Sequence, residues 1–267
     1  MSETLKAVQD MTDEAPVTDV TETFVQWQDL LNELKAKIAA RFELNPDPST
    51  GELESFGADD GPRGSLAGFS GPEVDWMIHS WVGDPEHGFV NLHLTVWLGP
   101  QVRVPHLGLA LLCWPGGWFY LDSVPRTSLV ADGDYYDRYY APAEEEWLAV
   151  REEYEDLSWF TSRSGFIRGS LSPTAYCYSM PRDERHVELV RRLMHQQVDR
   201  WLTWVDAAEP VPADERDALA AADLAIRRNI VERDPANVMA VRYFGHQVTD
   251  RLVRALWGGD RVLPRPS

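Results

Sequence analysis

The sequence predicts an α+β fold: a three-layer α/β/α sandwich around a central antiparallel sheet. Three observations predict it. Four β-rich runs follow one another between residues 74 and 124, broken only by short Gly-, Pro- and Asp-containing stretches. Breaks of that length cannot hold a crossover helix, so neighbouring strands run antiparallel. Helical periodicities stand before and after this block, giving the sheet an amphipathic element for each face. The 267 residues, 44% hydrophobic and 25% charged, suffice for one substantial core.

Residues 1–22 carry six acidic side chains, one lysine and few large apolar groups, and are expected to be a solvated, disordered tail. A single domain is expected over 23–267. Phe24, Trp27, Leu31, Leu34, Ile38 and Phe42 recur at three- and four-residue steps and predict an amphipathic helix. Asn45 to Gly71 is rich in Pro, Gly, Ser and Asp and reads as a long loop. The strands expected next are Val74–Val82, Phe89–Leu98, Pro105–Cys113 and Trp118–Val124. A charged helix follows at about Pro142–Leu157, and Gly165–Met180 reads as further strand. Asp183 is a good N-cap for a helix reaching Asp206. Two more helices are predicted near Asp214–Arg233 and Val238–Trp257.

Alternation splits each strand into two faces. Val90, Leu92, Leu94, Val96 and Leu98 form a core face, as do Leu107, Leu109, Leu111 and Cys113. The opposite face holds Phe89, Asn91, His93, Thr95 and Trp97 on one strand and His106, Gly108, Ala110 and Leu112 on the next. Small residues at 108 and 110 beside polar and aromatic neighbours suit a small-molecule pocket, or alternatively admit a packed helix.

The bulk numbers exclude several classes. Cys113 and Cys177 are the only cysteines, too few for an iron–sulfur cluster, and are expected to be buried and reduced. A net charge of −18 argues against nucleic acid and against anionic membrane surfaces. No apolar run approaches the ~18–20 residues of a membrane span, and the N-terminus lacks the features of a secretory signal. A soluble, cytoplasmic protein is expected. There is no GxGxxG after a strand and no P-loop. Four of the seven histidines, His79, His87, His93 and His106, fall within 28 residues. Their spacing matches no HxH or HExxH pattern, so no metal site is expected.

Three segments carry a resemblance. Leu121–Tyr140 reads LDSVPRTSLVADGDYYDRYY, Phe166–Ala175 reads FIRGSLSPTA, and Asp223–Leu256 contains AIRRNIVERDP and YFGHQVTDRLVRAL. Together they resemble the red chlorophyll catabolite reductase family, which stands with the ferredoxin-dependent bilin reductases. The resemblance implies an α/β/α sandwich holding an open-chain tetrapyrrole between the sheet and the C-terminal helices. It implies no bound cofactor, with external reduced ferredoxin supplying single electrons and side chains supplying protons. A homodimer is what the chlorophyll-catabolite branch suggests.

Asp234, in VERDP, falls where the family has its catalytic aspartate. An aqueous Asp has a pKa near ~3.9 and is a poor donor at neutral pH. Asp234 is expected at the C-terminal end of a helix, because the residue before Pro235 leaves α geometry. The helix dipole and burial there both favour the neutral acid. His93 resembles the active-site histidine of the phycocyanobilin-forming enzymes, and a histidine passes protons near neutral pH with little tuning. Ala110 is the main departure, since both branches place a carboxylate there. His106, on the same face, is the candidate replacement. Arg168, Ser170, Ser172, Arg126 and Asn91 are candidates to hold the substrate, arginine because its planar fork binds carboxylates through two hydrogen bonds. Arg126 reads equally as a structural partner of an acidic residue.

The function expected is ferredoxin-dependent reduction of a linear tetrapyrrole or similar conjugated substrate. A pigment-binding protein without catalysis, or a reductase of a specialised natural product, are the alternatives that Ala110 leaves open. An acidic ferredoxin needs a local basic patch. Arg182, Arg185, Arg191, Arg192, Arg227, Arg228, Arg242, Arg251 and Arg254 could form one, or could alternate with acids on solvated helix faces.

Overall fold

The computed structural model describes residues 17–58, 61–114, 116–159 and 162–267. Helix α1 (Thr21–Arg41) opens the fold, followed by β1 (Asn45–Pro46), a 3₁₀ turn (Pro48–Leu53) and β2 (Phe56–Gly57). The body of the sheet is β3 (Arg63–Ser70), β4 (Val74–Asp84), β5 (Phe89–Leu98), β6 (His106–Cys113) and β7 (Gly117–Val124). Helices α2 (Gly133–Tyr139) and α3 (Ala141–Glu153) lead to β8 (Ser158–Trp159), the short helix α4 (Gly165–Ser170) and β9 (Tyr176–Met180). The chain closes with α5 (Glu184–Asp206), α6 (Ala213–Glu232) and α7 (Asn237–Trp257). Strand order is β1-β3-β4-β5-β6-β7-β9-β8, with β2 added on β3, and the pairings are antiparallel.

The structure corrects three expectations. Residues 63–70 are a strand rather than loop. Their composition misleads because Gly64 and Gly68 are demanded by packing: a Cβ at Gly64 would lie 2.6 Å from the Phe56 ring, and one at Gly68 would lie 2.6 Å from the Trp76 ring. Gly165–Met180 is not continuous strand, since Ser164 caps α4 by accepting from the Ile167 N–H at 3.3 Å. The expected tail ends earlier than residue 22. Val20 is buried and donates its N–H to the Pro85 carbonyl at 2.8 Å, which anchors the start of α1. The acidic residues of 1–16 lie outside the described residues.

Two layers cover the sheet. Trp27, Leu30, Leu31, Leu34 and Ile38 of α1 and Leu189, Val190, Leu193, Met194, Val198 and Trp201 of α5 bury against the aliphatic face of β5 and β6. Asp183 caps α5 by accepting from the His186 N–H at 3.0 Å, as its position predicts. Both thiols, Cys113 and Cys177, are buried and form no disulfide. On the other face, Leu252 and Ala255 of α7 pack with Trp76, Ile78, Trp97 and Val124, and Ile226 and Ile230 of α6 flank them. Trp76 fixes α7 further by donating its indole N–H to the Ala255 carbonyl at 2.9 Å.

A buried ionic clamp joins α6 to the sheet. Asp223 accepts from Arg126 Nε at 3.2 Å and lies 3.1 Å from His106 Nε2. The Leu98 N–H donates to His106 Nδ1 at 3.0 Å, so that nitrogen is an acceptor and the ring proton belongs on Nε2, facing Asp223. Arg126 also donates to the carbonyls of Gly99 and Val102. Burial alone would raise the Asp223 pKa, but His106 and Arg126 outweigh it and hold the carboxyl below its usual value.

Helix α7 is broken at Gly245, whose φ of 75° and ψ of 170° belong to a region open essentially to glycine. Nothing lies within 4 Å of a Cβ built there, so the constraint is backbone strain rather than space. Gly245→Ala is expected to cost about 1–3 kcal/mol of stability, read from the urea midpoint. Arg126→Met should cost about 3 kcal/mol or more, because Asp223 loses its cation while still buried. Thermal and urea unfolding check both, and a neutral Arg126→Met would show that the clamp does not hold α6.

Candidate functional site

The face of the sheet turned toward α6 and α7 is built by register. His93 pairs with Ser80 on one side and Ala110 on the other, and Ala110 in turn pairs with Tyr120. One step along, Thr95, Gly108 and Asp122 line up. Asn91, Leu112 and Trp118 form the next row. The four strands β4 to β7 therefore place His93, Ala110, Tyr120 and Asp122 together at the centre of one surface.

That centre is not sealed by the helices. Asn91, His93, Thr95, Trp118 and Tyr120 are only partly buried, although β5 and β7 are interior strands. Tyr243 of α7 stacks on Phe89 at 5.2 Å at one end, while Leu252 and Ala255 pack near Trp97 and Val124 at the other. A separate cleft of about 210 Å³, lined by Arg103, Arg138, Tyr139 and residues 208–212, lies away from this surface. It falls below the ~300–1,000 Å³ usual for a small-molecule site.

Burial governs the titratable groups here. It pushes His93 down to about 4, so the imidazole is neutral at neutral pH rather than poised near its free value. Asp234 lies two residues past the end of α6, after the capping Arg233, at the spacing that continues the stripe of Asp223, Arg227 and Ile230. Its carboxyl accepts from the Ala236 N–H at 2.8 Å, and burial nonetheless leaves its pKa raised. Asp122 is pushed up to about 6 by burial, against the hydrogen bonds it accepts from Ser172 and Tyr120.

The predicted site residues separate into two sets. His93, Asn91 and Ala110 share the open face, and Ser172 lies over it, donating its backbone N–H to Asp122 at 3.2 Å. Asn91 Oδ1 is buried without a hydrogen-bond partner among the described residues, and the Ser172 side chain lies beside the Asp122 carboxyl. Arg126 and His106 are different. Both are committed to the Asp223 clamp, and this corrects the expectation that Arg126 meets substrate and that His106 replaces a carboxylate at 110. Arg168 and Ser170 sit on the exposed α4 and bond within their own turn, Arg168 to the carbonyls of Ser162 and Arg163 and Ser170 to that of Ile167.

Asp122 and Tyr120 are absent from the sequence-predicted set. The signal for them is the alternation that places Trp118, Tyr120 and Asp122 across from Leu112, Ala110 and Gly108. The histidines do not converge: His79 pairs with Ala67 and Leu94 on the opposite face, and His87 bonds Asp84 in the β4–β5 turn. No cluster of three potential metal ligands occurs among the described residues.

Several of the C-terminal arginines are spent in ion pairs, Arg191 with Glu33, Arg227 with Asp75, Arg228 with Glu232, Arg251 with Glu52 and Arg254 with Asp260. Among the described residues no helix is long and apolar enough to cross a membrane.

A search of curated proteins returns no significant relative. Among solved structures, the chain is similar to phytochromobilin synthase from tomato, solved in complex with biliverdin. The TM-score is 0.75 at 15% identity, over 87% of this chain and 83% of that one, which establishes a shared fold. The family model for red chlorophyll catabolite reductase matches residues 26–257, nearly the whole of the sandwich just described, and the chain belongs to that family.

Proposed function

We propose that this protein reduces an open-chain tetrapyrrole, or a similarly extended conjugated molecule, with electrons from reduced ferredoxin and protons from its own side chains. The observation that carries the reading is the row of polar and aromatic groups beside Ala110, namely Asn91, His93, Thr95, Trp118 and Tyr120, left only partly buried on interior strands, with Asp234 half-buried just past the end of α6. A flat guest would lie against Ala110, which offers little side-chain height, beside the Tyr120 ring that covers Gly108. Asn91, in the next row of the same face, would supply a polar contact at its edge.

The chemistry follows from the environment. Two one-electron deliveries require the substrate to hold the unpaired electron between them, which extended conjugation allows without a bound flavin. Each added electron raises the basicity of the substrate, and a neutral acid within reach completes the step. Asp234 suits that role because burial keeps its proton on at a higher pH than water would. The C-terminal end of α6 adds in the same direction, since a helix terminus of that sign disfavours a carboxylate. His93, neutral at about pH 7, serves as a hydrogen-bonding partner that fixes the guest and takes up charge only transiently. A local basic patch would be needed to orient an acidic ferredoxin. A cytoplasmic location and the homodimer of the chlorophyll-catabolite branch accompany this reading.

A binding-only protein is the second reading, favoured by one residue: Ala110 can neither give nor take a proton. The two readings part in one experiment. Purified protein is mixed with biliverdin under anaerobic conditions, and reduced ferredoxin is then added while the visible spectrum is followed. Reduction predicts a shifted spectrum that bleaches; binding alone predicts a shift that persists. Asp234→Asn should keep the shift and lower the bleaching rate by about 10²-fold or more, the usual weight of a general acid. In the wild type, turnover should fall as pH rises through the raised Asp234 pKa, because only the protonated acid can donate. Wild-type bleaching by Asp234→Asn would remove Asp234 from the mechanism.

A further inference from the structure

We propose that Asp122 is a second proton donor to the bound substrate, oriented by Tyr120 and Ser172; this rests on the reductase reading above. The geometry begins with strand position. Asp122 lies on the same face as Tyr120 and in register with Gly108, one diagonal step from Ala110. It is 2% exposed, and its two oxygens differ sharply. Oδ2 accepts from the Tyr120 hydroxyl at 3.2 Å and from the Ser172 N–H at 3.2 Å. Oδ1 is buried with no hydrogen-bond partner among the described residues.

An unpartnered carboxylate oxygen in a dry site is costly, whereas a carboxylic acid can carry its proton there. Two donors hold Oδ2, so Oδ1 is the atom left to bear the proton. Gly108 makes room for the Tyr120 ring: a Cβ at that position would meet the ring at 2.9 Å and its hydroxyl oxygen at 3.1 Å. The ring therefore lies over the glycine and brings the phenol to the carboxyl. Titratable groups around Asp122 are Tyr120 on its own strand, Cys177 on β9 and Tyr140 beyond the sheet, all with their pKa values pushed up and so neutral. Burial, the largest influence, pushes Asp122 itself up to about 6. A fraction is then protonated near neutral pH, which suits a general acid.

Position also complements Asp234. Ser172 follows directly on α4, and α4 reaches α6, where Arg233 lies over the Phe166 ring at 5.1 Å. The segment 165–172 thus spans from the Asp122 carboxyl to the end of the helix that carries Asp234. The two acids approach a guest from the sheet and from the helix layer. In the step assigned to Asp122, the substrate has gained an electron from ferredoxin. The Oδ1–H bond breaks, a C–H or N–H bond forms on the substrate, and the carboxylate left behind regains its proton from water. Two electrons and two protons, one from each acid, complete the reduction.

The test uses wild type, Asp122→Asn and Tyr120→Phe in the anaerobic biliverdin assay across the neutral pH range. Asp122→Asn should bind biliverdin as the wild type does and bleach it at least about 10²-fold more slowly. Tyr120→Phe removes a donor that favours the charged carboxylate, so Asp122 should hold its proton to higher pH. The falling limb of the turnover profile should then move to higher pH. Wild-type bleaching by Asp122→Asn overturns the inference and leaves the reductase reading standing. So does a joint loss of binding and turnover with the pH profile unmoved, the mark of a purely structural carboxyl. If Asp122→Asn does not fold, Tyr120→Phe decides, and an unmoved limb overturns the inference. A wild-type protein that neither binds nor bleaches biliverdin removes the reductase reading and this inference together.

Discussion

The period of two along β5, β6 and β7 is the constraint on which the rest of the molecule depends. Each strand must send alternate residues to opposite sides, so a single register decides both the core and the site. One side takes Leu, Val and Phe and binds α1 and α5. The other is thereby released from packing duty and can carry His93, Ala110, Tyr120 and Asp122. A slip of one residue would exchange the two sets and bury polar groups against α5. The hydrophobic cost of such a slip is what keeps the polar face in place.

The released face still has to be roofed, and the roof is held mainly at its edges. Trp76 and Trp97 anchor the far half of α7, Phe89 and Tyr243 the near half, and the Asp223 clamp fixes α6. Apolar packing at the rims and ionic packing behind them leave Asn91, His93, Thr95, Trp118 and Tyr120 only partly buried in the middle. The clamp is buried, so it works by satisfied partners rather than by bare attraction. Asp223 serves Arg126 and His106 at once, and each of those is also tied to backbone: Arg126 to the carbonyls of Gly99 and Val102, His106 to the N–H of Leu98.

This division explains what could be read without coordinates. The helices and the four strands from β4 to β7 were legible because their periodicities are long and regular. The β3 strand was not, because its glycines answer to Phe56 and Trp76, which are distant in sequence or hidden by a turn. Alternation correctly gathered Asn91, His93 and Ala110 on one face. Arg126 and His106 misled for one reason: a polar residue at a strand end reads alike whether its partner is a guest or an aspartate on α6. Only the fold brings Asp223, nearly a hundred residues away in sequence, to meet them. Asp122 went unread because a lone Asp in LDSVP gives no hint of its burial, and burial is what distinguishes it from the many solvated acids of this chain.

Burial also resolves an apparent contradiction in the charge. A protein of net charge −18 might be taken as a poor place to keep protons in an acid's neutral form, yet the site groups are set by their immediate surroundings. Exposed acids such as Asp19 and Asp183 have their pKa values lowered by local hydrogen bonds, whereas Asp122 and Asp234 are raised because the sheet and the helix end withhold water. The same dryness lowers His93, which takes imidazolium out of the resting state. The face thus carries less charge at rest than solvated groups would: His93 is neutral, and both carboxyls hold their protons to higher pH than an exposed acid does. A weakly charged, poorly hydrated lining suits an extended apolar ring system, and it also leaves any electron placed on that guest poorly screened. Proton transfer from a nearby carboxylic acid is then the direct way for the charge to be neutralised.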